Sequence, residues 1–155
     1  MDENERQVLL ERYGAGFDAV RDALAGVTEA ELDRRPDEPD GWTARQVTHH
    51  LADSETMAYV RLRRLIAEDD PLIQAYDEPE WARRLHYDRP IEPSLAVLAG
   101  VRAASLQLLR SLTPAEWART GTHSESGPYS VEGWLEIYAG HSHDHADQIR
   151  RARGG

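Results

Sequence analysis

The order of helix signals along the chain occurs twice, and this repeat determines the expected fold class. The segments "GVTEAELDRRP" and "SLTPAEWARTG" align over Val/Leu-Thr-x-Ala-Glu-Leu/Trp-x-Arg, which places Thr28 and Thr113 in equivalent positions. Both carry the T-x-x-E pattern of a helix capping box, and each follows a long segment with apolar residues at helical spacing. A loop and a second long amphipathic segment come next in both halves. Two such helix pairs, related by an internal duplication or by pseudo-symmetry, predict an all-α four-helix bundle with short extra helices in the connections.

The individual elements follow from apolar periodicity and from capping residues. Long helices are predicted over residues 4–25, from Thr43 to just before "EDDP", over 94–111 and from Ser130 to about Arg151, and shorter ones begin at Thr28, Asp77 and Thr113. Strand signals are nearly absent, and "GTHSESGPYS" is predicted to be a loop. At 155 residues the chain can bury one proper core, so residues 1–155 are expected to form a single domain.

Two amino acids are missing from the composition, and their absence excludes several kinds of chemistry. Without cysteine the chain has no disulfides, no thiol nucleophile and no cysteine-based zinc site. All 18 basic residues are arginine, which excludes Schiff-base chemistry and a P-loop lysine. The net charge of −10 argues against nucleic-acid binding, because phosphates need a basic surface. No apolar run approaches the ~18 residues of a membrane span, and the polar start "MDENERQ" has no signal-peptide pattern, so a cytoplasmic location is expected.

Five of the seven histidines occur in two places, His49–His50 on the second long helix and His141, His143 and His145 on the fourth. On a helix, His141 and His145 lie within ~40° of each other on one face, whereas His143 points roughly the opposite way. In helix bundles, metal sites are built from side chains of facing helices. Three imidazoles with an open fourth position are typical of a catalytic zinc site. The two clusters therefore predict a metal site with ligands from both helix pairs.

The periodicity of the second long helix favours His50 over His49 as the inward-facing residue. His50 flanks the expected inward stripe, and His49 turns ~100° further away from it. Near the two clusters, Asp53 and Gln148 are candidates to accept hydrogen bonds from the imidazole N–H groups. The alternative is that these histidines are solvated near a polar helix C-terminus, where their charge is favourable. The expected inward stripe consists of Val47, Leu51, Ser54, Ala58, Leu62 and Leu65.

The segments "GWTARQVTHHLADSE", "PLIQAYDEPEWA" and "YAGHSHDHADQI" resemble the DinB-like superfamily, and especially its YfiT branch of metal-dependent hydrolases and bacillithiol transferases. The resemblance covers about residues 25–152. It implies a four-helix bundle, commonly a homodimer, in which three histidines bind one divalent ion, zinc or nickel. By position, the histidine directly before Leu51 corresponds to the first ligand, so the implied metal ligands are His50, His141 and His145. His143 has no ligand role in the resemblance.

The resemblance implies more than one activity. The favoured one is transfer of a low-molecular-weight thiol, such as bacillithiol, to an electrophilic small molecule, because a metal lowers the pKa of a thiol and the thiolate is the nucleophile. One alternative is a metal-dependent hydrolase, in which the same position activates water toward a hydrolysable small molecule. Another is a non-catalytic, stress-related bundle that binds metal. In the sequence no glutamate or aspartate stands out as a general base, which favours thiol chemistry.

Overall fold

A computed structural model describes residues 1–36 and 41–154 of the chain. Its four long helices are α1 (Glu3–Ala23), α3 (Ala44–Ala67), α5 (Glu92–Leu109) and α7 (Val131–Ala152). The short helices α2 (Glu29–Leu32), α4 (Glu78–Arg84) and α6 (Pro114–Trp117) lie in the connections. Both α1 and α3 pack against α5 and α7, so each long helix has two long neighbours. This arrangement confirms the predicted all-α four-helix bundle with short extra helices. Within the described ranges, no helix is both long and apolar enough to cross a membrane.

Side-chain caps set most helix starts where the sequence predicts them. Thr28, Thr43 and Thr113 each form a complete capping box with the residue three positions later, and the Ser130 hydroxyl accepts from the Gly133 amide. These caps satisfy amides that have no partner within the helix. Helix α5 begins two residues before the predicted start, at a position without a side-chain cap. The order of long helix, capped short helix and second long helix therefore occurs in both halves, as predicted.

A small three-stranded sheet corrects the prediction that residues 121–130 form a loop. Strand β2 (Thr120–His123) pairs antiparallel with β3 (Gly127–Ser130) and parallel with β1 (Leu72–Ile73). Strands this short carry too few residues for a period-two pattern, so the sequence gives little sign of them. Glycines make the hairpin possible. Gly127 has a φ of +80°, and a Cβ on Gly121 would lie 2.6 Å from the Pro71 carbonyl oxygen.

The inward face of α3 is confirmed, since all six residues of the expected stripe are buried. The inward faces of α1 and α5 agree only in part with the sequence, whose apolar spacing predicts Val8, Leu9, Tyr13, Phe17, Val20 and Leu24 on α1 and Leu95, Leu98, Val101, Leu106 and Leu109 on α5. Val8 is 57% exposed and Leu10 is buried in its place. On α5, Val101 is only half-buried. The buried residues of this helix are Ser94, Leu98, Arg102, Ser105 and Leu109. Apolar periodicity misplaced this face because three of its buried residues are polar.

Gly16 brings α1 into close contact with α5 and α7. A Cβ at this buried position would lie 2.4 Å from Arg102 Nη2 and 3.0 Å from Ser142 Cβ. We expect Gly16→Ala to lower the free energy of unfolding by about 1–3 kcal/mol, because the buried guanidinium has to move. Gly100, in the middle of α5, is exposed and has no atom within 4 Å of its Cβ position.

The Gly100→Ala variant is the matched control, and it should gain about 0.5–1 kcal/mol from helix propensity. Urea unfolding followed by circular dichroism measures both changes. A Gly16→Ala protein as stable as the wild type would show that α1 does not depend on this close approach.

Candidate metal centre

Three imidazoles converge where α3 packs against α7. One ring nitrogen from each of His50, His141 and His145 lies within 4.8 Å of the other two. The ring centroid of His50 is 6.1 Å from that of His141 and 4.9 Å from that of His145. The centroids of His141 and His145 are 4.6 Å apart. The i, i+4 spacing places the two α7 histidines one turn apart, and α3 supplies the third from the facing helix. These three side chains are called the histidine cluster below.

Burial and neighbouring aromatic rings hold the histidine cluster in place. His50 is 3% exposed, and its ring lies edge-on to Trp42 with centroids 4.8 Å apart. The ring of His141 lies edge-on to the Tyr138 ring, with centroids 5.4 Å apart. His141 and His145 are only partly buried, so the cluster has a closed side toward the core and an accessible side.

Hydrogen bonds direct two of the rings so that they could bind a metal ion. Nδ1 of His145 is 2.7 Å from the Gln148 side-chain oxygen, and Nδ1 of His141 is 3.1 Å from Glu55 Oε1. Both partners are acceptors, so each Nδ1 carries the proton and Nε2 keeps its lone pair. Ligating histidines in metalloproteins are commonly held in this way. The donor set therefore fits a divalent ion such as zinc or nickel.

The surroundings of His50 and His145 keep these two imidazoles in the form that binds metal. Burial lowers the pKa of His50 to about 3, with the neighbouring His145 and His141 adding to the effect. Burial also lowers the pKa of His145, again assisted by His141. Both rings are therefore neutral at physiological pH, and metal binding at these positions requires little loss of protons.

The family follows from comparison with known proteins. The family model of the DinB superfamily matches residues 13–149. The chain belongs to the DinB superfamily. A protein of Oceanobacillus iheyensis named "Putative metal-dependent hydrolase" is 46% identical over 109 residues, which make up 70% of this chain and 63% of that protein. Another with the same description, from Halalkalibacterium halodurans, is matched over 66% of its length. The chain thus spans just under two thirds of these two relatives.

YfiT from Bacillus subtilis, whose name also begins "Putative metal-dependent hydrolase", is similar in sequence and in structure. The sequences are 35% identical over 133 residues, covering 84% of this chain and 74% of YfiT. The solved structure of YfiT superposes with a TM-score of 0.90 at 29% identity, over 98% of this chain and 87% of that one. It is described as having an unusual four-helix bundle topology, which is the architecture found in this DinB chain.

In this DinB chain, the two residues expected near the imidazole N–H groups have different positions. Gln148 contacts His145 as described above. Asp53 instead accepts a hydrogen bond from the Tyr87 hydroxyl at 2.6 Å. Burial raises the pKa of Tyr87, and the bond to Asp53 raises it further. The Asp53 side chain is directed toward Tyr87. Within the described ranges, no hydrogen bond joins Asp53 to the histidine cluster.

The carboxylate beside the cluster is Glu55, which sequence reasoning missed. Its side chain is fully buried, and its Oε1 accepts from the Ser142 hydroxyl at 3.2 Å in addition to contacting His141. The Arg102 guanidinium donates to the same oxygen and also to the Tyr13 backbone oxygen. This buried network joins all four long helices to the histidine cluster. No motif in the sequence indicates it, since Glu55 and Arg102 lie on different helices.

The remaining histidines of the two clusters lie outside the candidate centre. His143 contacts the Arg12 backbone oxygen at 2.8 Å, on the α1 side of α7, which agrees with its predicted direction. His49 is fully buried, contrary to the expectation that it turns away from the core. Its ring lies where α3 packs against the start of α5. There the two ring nitrogens contact Ser94 Oγ at 2.8 Å and the Arg89 backbone oxygen at 2.9 Å. These two contacts occupy both nitrogens of His49.

Proposed function

We propose that this chain is a metal-dependent enzyme in which His50, His141 and His145 bind one divalent ion, zinc or nickel. The observation that carries the proposal is the set of three ring nitrogens within 4.8 Å of one another, two of them on rings that are held through Nδ1. An ion held by three protein ligands with an open position lowers the pKa of a bound thiol or water and so supplies a nucleophile near neutral pH. The names of the DinB relatives support metal dependence.

We propose further that the reaction is the transfer of a low-molecular-weight thiol of the bacillithiol type to an electrophilic small molecule. The positions of Glu55 and Asp53 support this choice. Glu55 is fully buried behind His141 and paired with Arg102, and Asp53 is bonded to Tyr87. Neither is placed to take a proton from a molecule on the accessible side of the cluster. A thiol loses its proton more readily than water does, so it depends less on such a base.

The chain's own residues would orient and shield the reacting groups. Glu55 and Gln148 fix the rings of His141 and His145 through Nδ1. Trp42 and Tyr138 pack against His50 and His141 and keep water from the core side. Rings held from two sides are limited in rotation, which is the condition for a preorganised site. The same features would serve a metal-dependent hydrolase, which is the second candidate because the relatives carry that name.

A paired activity assay on metal-loaded protein tests the proposed reaction. In one arm, glutathione or bacillithiol is supplied with chlorodinitrobenzene, and in the other, nitrophenyl acetate is supplied without thiol. We expect thiol conjugation that is lost after chelator treatment and restored by zinc or nickel. Ester turnover without any thiol would instead establish the hydrolase. A loaded protein that is inactive in both arms would contradict both proposed reactions.

A further inference from the structure

Two charged residues, Glu55 on α3 and Arg102 on α5, lie directly behind one of the proposed metal ligands. Both side chains are buried, and they form an ion pair with each other. Glu55 Oε1, the oxygen that Arg102 reaches, is also 3.1 Å from His141 Nδ1. We call Glu55 and Arg102 the buried ion pair. It contacts the histidine cluster from the side of the core.

The hydrogen bonds of Glu55 are divided unevenly between its two oxygens. Oε1 accepts from Arg102 and from the Ser142 hydroxyl at 3.2 Å, and it contacts His141 Nδ1. Oε2 is buried and has no hydrogen-bond partner within residues 1–36 and 41–154, and the same is true of Arg102 Nε. A guanidinium can only donate, so the oxygen that it reaches is held as an acceptor. The bond between His141 and Glu55 therefore runs from Nδ1–H to the carboxylate.

Helix α1 fixes the guanidinium of Arg102. The guanidinium donates to the Tyr13 backbone oxygen and stacks over the Tyr13 ring, with Cζ 3.9 Å from the centroid. Gly16 faces the same group, and the absence of a Cβ there leaves the space that the guanidinium occupies. Contacts thus run from α1 through Arg102 to Glu55 and from there to His141. One proposed ligand on α7 is therefore oriented by residues of the three other long helices.

The stability of the bundle gives no reason for a charged pair at this position. Replacement of a whole buried ion pair by apolar residues of similar volume is often neutral or stabilising. The unpartnered Oε2 and Nε atoms are a further cost, since a buried polar atom without a hydrogen bond lowers stability. The contact with His141 supplies a reason, because a carboxylate behind a ligating imidazole fixes the proton and the orientation of the ring.

We propose that the buried ion pair positions His141 for metal binding, with Arg102 acting through Glu55. This inference rests on the proposed function for the identity of the metal ligands. Glu55 keeps the proton of His141 on Nδ1, which leaves the Nε2 lone pair free for an ion. Arg102 is a positioning residue that holds the carboxylate in place. In the part of the chain that the structure describes, it forms no hydrogen bond to the three imidazoles.

The double variant Glu55→Met, Arg102→Leu tests the proposal without leaving a buried charge unpaired. We expect its zinc affinity to fall about 10–100-fold, the usual cost of losing a group that orients a ligand. Zinc affinity is measured by competition with a chromophoric chelator, on protein made without a histidine tag. Circular dichroism of the metal-free protein should show a folded bundle, since apolar replacement of the whole pair is often neutral.

Arg64→Leu, Glu68→Met is the matched control. It makes the same two changes of residue type in an exposed ion pair at the end of α3. We expect less than a twofold change in zinc affinity. A loss equal to that of Glu55→Met, Arg102→Leu would show that the buried ion pair has no particular relation to the metal centre.

The position of the His141 proton is a second readout, and it requires no metal. NMR of the ring nitrogens at about pH 8, above the ordinary pKa of imidazole, distinguishes Nδ1–H from Nε2–H. The His141 signals are assigned by their loss in His141→Ala. We expect Nδ1–H in the wild type and in the control, and a gain of Nε2–H in Glu55→Met, Arg102→Leu. A pair that only stabilised the bundle would not move this proton.

An unchanged zinc affinity or an unchanged His141 proton in the folded double variant would overturn the proposal. Nε2–H at His141 in the wild type would overturn it without reference to any variant, so the test does not depend on the variant folding. A wild type that binds no zinc would contradict the proposed function instead. The NMR measurement on metal-free protein would then still decide whether the buried ion pair fixes the His141 ring.

Discussion

Replacement of Arg102 by leucine is expected to lower the free energy of unfolding by about 3–5 kcal/mol, the cost of leaving a buried charge without its partner. The Arg102 side chain is 4% exposed and the Glu55 side chain 0%. Without the guanidinium, Glu55 loses its countercharge and the Tyr13 backbone oxygen loses a donor. Arg102 also stacks over the Tyr13 ring, with its Cζ 3.9 Å from the centroid. Urea unfolding followed by circular dichroism measures the change.

Two further variants separate the effect of the buried pair from the effect of losing an arginine. Arg64→Leu removes an arginine from an exposed pair with Glu68 and should change stability little, because exposed pairs contribute little. Combining Arg102→Leu with Glu55→Met should recover much of the loss, since apolar replacement of a whole buried pair is often neutral. If Arg102→Leu were no more destabilising than Arg64→Leu, the buried pair would not support the bundle.

Loss of any one imidazole of the histidine cluster should abolish stoichiometric metal binding. We expect His50→Ala, His141→Ala and His145→Ala each to weaken zinc or nickel binding by more than about 100-fold, because loss of a group that only orients a ligand already costs 10–100-fold. Metal content is measured by mass spectrometry on protein made without a histidine tag, after dialysis against the ion. About one ion per chain is expected in the wild type.

His143→Ala is the matched control for these substitutions. His143 lies on α7 between the two proposed ligands, yet it contacts the Arg12 backbone oxygen on the α1 side. This variant should keep the metal content of the wild type. Equal loss in His143→Ala, or full retention in His145→Ala, would contradict the assignment of the ligands. Circular dichroism on each variant shows that any loss of metal occurs in folded protein.

The fold could be predicted from the sequence because its signals are local. Capping boxes at Thr28 and Thr113 depend on residues three positions apart. Apolar spacing indicated the inward face of α3 in full, and those of α1 and α5 in part. The pair His141 and His145 is also local, since both ligands lie on one helix face. Apolar spacing favoured His50 but could not assign it alone, because His50 flanks the apolar stripe of α3 rather than lying within it. The resemblance to the family supported the same choice over His49.

Features that depend on contacts between distant segments could not be predicted. Glu55 and Arg102 stabilise each other across two helices, and nothing in either local pattern indicates a buried charge. His49 is buried because Ser94 and the Arg89 backbone oxygen provide partners for its ring. Asp53 lies on the expected helix but bonds to Tyr87, a residue whose position depends on the connection before α5.

The histidine cluster takes one imidazole from the first pair of long helices and two from the second. Neither pair alone therefore carries enough donors to hold an ion through three nitrogens. The proposed metal site therefore forms only when the two halves of the bundle have packed together. An ion that binds only the native state stabilises that state by mass action, so a bound ion would stabilise the packing of the two halves against each other.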